Sequence, residues 1–84
     1  MYRIEYTSGA RKDLKRLDPQ WQKRIILETE KLASNPFLKG NVKRLVNSPF
    51  YRMRVGDYRV VFDLQTNRLI VLVVHIRKRE EAYH

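Results

Sequence analysis

The chain contains no cysteine, so a disulfide framework, a cysteine-based zinc site and a thiol nucleophile are all excluded. Without such staples, a chain of 84 residues must be held by a small core of regular packed elements. The cytoplasm is the expected location, since nothing in the composition asks for an oxidising compartment. Long hydrophobic runs are also missing. The opening Met1, Tyr2, Arg3, Ile4, Glu5, Tyr6 has no apolar segment of the kind an export signal needs, and the longest apolar stretch, Leu69 to Val74, is far too short to span a bilayer. No membrane association is therefore expected, and no metal or cofactor. Acid is scarce: nine Asp and Glu face 18 Lys and Arg, a formal charge of +9. Such an excess attracts phosphates or acidic proteins. The length suits one domain, over residues 1–84.

Alternation of Tyr2, Ile4 and Tyr6 with Arg3 and Glu5 predicts a first strand with one buried face. Thr7 or Ser8 can cap a helix whose apolar positions Ala10, Leu14 and Leu17 share a side, leaving Arg11, Lys12, Lys15 and Arg16 outward. Asp18 followed by Pro19 signals a second start, with aspartate as the cap and proline already at helical φ. Trp21, Ile25, Thr29 and Leu32 form that helix's inner face, and Asn35 with Pro36 ends it. Residues 35–49 are rich in Asn, Pro, Gly and Ser and form a connection, within which Val42 to Val46 can make a short extra strand. Three further strands are expected over 50–55, 58–64 and 69–76. The last, apolar on both faces, belongs inside the sheet. The sum is an α+β fold, β-α-α-β-β-β, with two antiparallel N-terminal helices on one face of a mainly antiparallel sheet.

The richest local pattern surrounds Gly56 and Asp57, a two-residue turn between Val55 and Tyr58. Counting from it pairs Arg54 with Arg59, Met53 with Val60 and Arg52 with Val61. Arg52, Arg54 and Arg59 then share one face, while Met53, Val55, Tyr58 and Val60 share the other. The apolar set should meet the helices and the arginines should face out. Like charges directly across a strand pair are unfavourable by some tenths of a kcal/mol, roughly. Local inconsistencies of this type tend to mark function, and a polyanion lying on that face would reverse the sign, since the guanidinium fork suits phosphate. The tail continues Arg77, Lys78, Arg79, Glu80, Glu81, Ala82, Tyr83, His84. Folded beside the sheet, it would add cationic donors and a phenol able to stack on a base or move a proton. His75, at the end of a buried strand, is expected to be a packed residue.

The run Tyr51 to Phe62, the hydrophobic strand after it, the ending Arg77, Lys78, Arg79, Glu80 to Tyr83, and the opening Ala10 to Leu17 together resemble the RelE family of toxin–antitoxin toxins, within the RelE/ParE superfamily. The resemblance covers nearly the whole chain. It implies a ribosome-dependent endoribonuclease, an mRNA interferase, that enters the decoding site and inhibits translation by cutting messenger RNA. In that chemistry the ribose 2′-oxygen attacks the adjacent phosphorus, leaving a 2′,3′-cyclic phosphate and a 5′-hydroxyl. Carried over by position, Arg52 and Arg54 match two basic active-site residues that are lysines in the best-known member. Arg59 and Arg79 match its two arginines, and Tyr83 its C-terminal tyrosine. Arg59 and Arg79 would hold the charge growing on phosphorus, and Tyr83 would serve as general base, its phenol favoured in the ionised form by neighbouring cations. His84 is a further candidate, because some relatives use a histidine near the C-terminus. RNA contacts are expected from Arg52, Arg54, Arg59, Arg77, Lys78 and Arg79.

The resemblance also implies a cognate antitoxin that wraps the toxin and blocks its site, with operator DNA reached only indirectly, through that antitoxin. Two other readings compete. One is the ParE-like branch of the same fold, which poisons DNA gyrase and is no nuclease. The other is a non-catalytic RNA-binding module using the same basic face.

Overall fold

A computed structural model describes residues 1–36 and 41–78. Along the chain run β1 (Arg3–Tyr6), α1 (Ser8–Lys15), α2 (Pro19–Glu30), a 3-10 turn (Lys31–Ala33), β2 (Val42–Arg44), β3 (Tyr51–Val55), β4 (Tyr58–Gln65) and β5 (Ile70–Lys78). The sheet order is β1-β5-β4-β3-β2. Every neighbouring pair is antiparallel except β1 with β5. The parallel pair follows from the two helices, which carry the chain from β1 across one face before it returns.

Thr7 caps α1, its hydroxyl accepting from the Ala10 N–H at 3.1 Å and donating to the Val74 carbonyl at 2.9 Å. One side chain thus closes a helix start and fastens it to β5. Asp18 precedes α2 as expected, but it makes no side-chain cap bond. The junction is held by Gln22 instead, whose Nε2 donates to the Leu17 carbonyl at 2.7 Å.

The core lies between the helices and one sheet face. Ala10, Ile25 and Leu32 from the helical layer meet Met53, Val55, Val60, Phe62, Val71, Val73 and Ile76 from the strands. The phenyl ring of Phe62, with no exposed surface, stacks on Tyr51 at 5.8 Å. Burying side chains of this kind stabilises by about 1.5–3 kcal/mol each, which is how so short a chain stays folded without covalent staples.

The boundaries that differ most from the sequence expectation are those of the extra strand and the last strand. The extra strand stops at Arg44, leaving Val46 exposed. The last strand starts at Ile70 because Leu69 has φ 55°, a left-handed conformation that cannot continue an extended run. It also reaches Lys78 rather than ending at 76, and it contains a bulge: Val61 pairs with His75 but Phe62 pairs with Val73, so Val74 is the extra residue. That bulge matters for the opposite face of the sheet.

Candidate nucleic-acid interface

The hairpin register is Val55 with Tyr58, Arg54 with Arg59, Met53 with Val60 and Arg52 with Val61. Directly opposed residues in a sheet share a face, so Arg52, Arg54 and Arg59 lie together on the side away from the helices. The turn depends on Gly56, which takes φ 57° at the first central position, as in II′ turns. Its tip is seated on α2, where the Trp21 ring packs edge-on to Tyr58 at 5.0 Å and carries the Arg24 guanidinium over its face at 5.2 Å.

The row does not stop at the hairpin. Arg59 pairs on its other side with Arg77 of β5, so Arg54, Arg59 and Arg77 run side by side across three strands. A second row, one step along, holds Lys43, Arg52, Val61 and His75. Arg54 is exposed and Arg52 half-buried. The Arg52 Nη1 donates to the Asn41 carbonyl at 3.1 Å, and the Asn41 amide in turn donates to the Arg54 carbonyl at 2.7 Å. Asn41 therefore steadies the strand that carries both arginines.

Two expectations need correction. Arg59 does not face freely outward: only 9% of its surface is exposed. Its strand is central, so side chains from β3 and β5 crowd it on both sides. Arg77 is also diverted. Its Nη1 donates to Asp13 Oδ2 on α1, and the same carboxylate oxygen accepts the Ile76 N–H at 3.0 Å. Asp13 thus closes the edge of β5 beyond the point where β1 ends. Replacing Asp13 by alanine should destabilise the domain by about 1–2 kcal/mol, because it strands a strand-edge N–H and a guanidinium. Asparagine, which keeps an acceptor, should lose less; urea midpoints of the two variants measure the difference.

A cleft of about 620 Å³ opens beside this ion pair, between the end of α1 and the end of β5. Its floor includes Leu17, Tyr58 and Ile76, which puts it on the helix side of the sheet. The mixture of Asp13 and Asp18 with Arg16 and Lys78 gives it no single charge. The arginine face, not this cleft, is the region suited to a polyanion.

His75, expected to be a packed residue, belongs to the arginine face by register. It is half-buried. Burial pushes its imidazole below the ordinary histidine value, the Arg77 guanidinium pushes the same way, and Asp13 opposes them. At neutral pH it is therefore an uncharged acceptor among cations. The sequence carries no signal for it: Ile70, Leu72, Val74 and Ile76 keep an unbroken period of two, and only the strand register shows the bulge. Of the other expected site residues, Lys78 ends β5 and is exposed, while Arg79, Tyr83 and His84 lie outside the described residues.

Comparison with known proteins agrees with this architecture. The profile of the family described as ParE toxin of type II toxin–antitoxin system, parDE, matches residues 4–83. A curated relative from Methanocaldococcus jannaschii, named as toxin RelE1, is 34% identical over 98% of this chain and 94% of its own length. Among solved structures, the chain resembles one from the archaeal RelE–RelB complex of Pyrococcus horikoshii with a TM-score of 0.81, at 23% identity over 93% of this chain and 94% of that one. It also resembles one from the RelBE2 toxin–antitoxin complex of Mycobacterium tuberculosis, with a TM-score of 0.80 at 23% identity, covering 93% and 98% of the two chains.

Proposed function

Because the chain belongs to the RelE/ParE superfamily of type II toxin–antitoxin toxins, we propose that it is the ribosome-dependent messenger RNA endoribonuclease of its pair, restrained by a cognate antitoxin. One observation carries this reading: Arg52, Arg54 and Arg59 share a single face of the sheet, and Arg77 near the end of β5 continues the row from Arg59. Guanidinium groups gathered on one surface repel one another, and phosphate, which their donor forks suit, relieves that repulsion. A messenger backbone supplies that charge.

In the proposed reaction the ribose 2′-oxygen attacks the adjacent phosphorus and the 5′-oxygen departs, leaving a 2′,3′-cyclic phosphate and a 5′-hydroxyl. Arg59, held nearly buried, meets the developing phosphorane charge in a poorly hydrated setting, where such contacts count most. Arg79 would join it by family resemblance. Arg54 and Arg52, more exposed, hold the flanking phosphates, and Lys78 extends that contact. Tyr83 stands by the same resemblance as a group able to take the 2′-hydroxyl proton.

An antitoxin partner is supported by the RelB complexes of the structural relatives. A partner segment that carries acidic side chains onto the arginine face would block the RNA and neutralise the row together.

A second reading rests on the family profile, which is the ParE one: poisoning of DNA gyrase without nuclease activity. One preparation distinguishes the two. Added to purified translating ribosomes, it should cut the message; added to gyrase at the same concentration, it should leave supercoiling unchanged. Stalled gyrase with intact messages would overturn the proposal.

A further inference from the structure

We propose that His75 is a catalytic residue of this chain, its imidazole accepting the proton of the attacking 2′-hydroxyl. The inference rests on the ribonuclease reading above and deepens it, giving His75 the proton transfer that family resemblance alone would assign to Tyr83. Three observations carry it. First, the β5 bulge at Val74 sets His75 opposite Val61 and not opposite Val60; an unbroken ladder from Phe62 and Val73 would have turned the imidazole toward the helices. Bulges re-aim side chains in this way, often beside active sites. Second, His75 lies next along the strand face from Arg77, and it is the diagonal neighbour of Arg59. Diagonal side chains on a sheet are about 7–8 Å apart at their bases and within reach of long or aromatic groups, so a phosphate held by Arg59 has its adjoining 2′-hydroxyl in range of the ring. Third, the imidazole is half-buried and has no hydrogen-bond partner among the described residues.

The charged groups around the ring are on every neighbouring element. Arg77 lies on its own strand, Asp13 comes from α1, Arg59 and Asp63 flank Val61 on β4, Arg52 stands beyond Val61 on β3, and Glu5 of β1 faces Leu72 further along. Glu5 is engaged by Arg3 at 3.0 Å and Asp63 by Gln65 at 3.2 Å. The cations keep the ring neutral, and a neutral ring is the form a general base needs. In the step itself the imidazole nitrogen takes the 2′-hydroxyl proton, the 2′-oxygen forms its bond to phosphorus, and the phosphorus–5′-oxygen bond breaks. The departing oxygen takes a proton from water.

Single-turnover cleavage of ribosome-bound message, measured from pH 5.5 to 9, tests the assignment. The wild type should rise with pH and level off below neutrality, as an imidazole with a lowered pKa requires. His75→Gln should cut about 100-fold more slowly, at the lower end of what a general base contributes, and should lose the acidic limb; Arg59→Ala should be slow yet keep it. Added imidazole should partly restore His75→Ala. A wild-type rate that climbs on toward pH 9, as a phenol would give, or a His75→Gln profile matching wild type, overturns the inference and leaves the ribonuclease reading standing. A wild type that does not cut at all overturns both.

Discussion

Replacing Arg59 by alanine is expected to slow cleavage of ribosome-bound message by about 10²- to 10³-fold, the loss seen when one preorganised donor to a developing oxyanion is removed. The size follows from where the side chain sits. Arg54 is exposed, and water competes with anything it binds; Arg59, 9% exposed between two strands, works where the effective dielectric is lower. Arg54→Ala should therefore cost clearly less. Arg59→Lys should fall between wild type and alanine, because it keeps the charge and loses the fork. The fold should survive all three, since the shared core lies on the other face of the sheet. Rates from single-turnover cleavage, read beside thermal melts of the same variants, check both halves of the expectation. An Arg59→Ala protein that melts like wild type and cuts like wild type would remove this residue from the site.

The largest stability effect is expected at Gly56. A side chain there meets two obstacles at once. Its φ of 57° costs an L-residue about 1–2 kcal/mol, and a methyl group built on it would stand 2.5 Å from Trp21 Cη2 and 2.9 Å from Cζ3. Overpacking of that kind typically adds about 1–3 kcal/mol. Together they predict a loss of roughly 2–5 kcal/mol for Gly56→Ala, taking the φ and packing costs as additive. At about 4–8 °C per kcal/mol for a domain this small, that lowers the melting temperature by roughly 8–40 °C. The packing part is separable. In a Trp21→Leu background the clash is relieved, so the glycine substitution should cost less, by an interaction energy of about 1–3 kcal/mol in a double-mutant cycle. Additive losses would mean that the indole does not confine the turn. The same contact explains why a hairpin tip, usually a mobile part of a sheet, can hold Arg54 and Arg59 in fixed register.

How far the sequence anticipated the molecule depends on the range of the interactions. The hairpin register was legible because Gly56 and Asp57 set the count and every later pairing follows from it. The inner faces of both helices were legible from their spacing, down to the buried Thr29. What lay beyond local counting was the neighbour on the far side of β4. Knowing that β5 runs there, as its two-sided apolar pattern implied, would have put Arg59 between strands and explained its burial. The Arg77 to Asp13 ion pair joins residues 64 apart in the chain, and no periodicity foretells it. His75 was expected to be packed and is half-buried; what local counting does not supply is its face, which the bulge at Val74 turns to the arginine side. The Asp18 signal marked the right place for α2 to begin, although Gln22 supplies the bond that secures the junction.

The arginine face is expected to cut RNA. Mapping the ends of messages on translating ribosomes exposed to the wild-type chain, with Arg59→Ala alongside, tests that most directly. Breaks at codons in the decoding site, bearing 2′,3′-cyclic phosphates and 5′-hydroxyls and nearly absent with the variant, are the predicted result. Intact messages with the wild type, or equal breaks with both proteins, would contradict it.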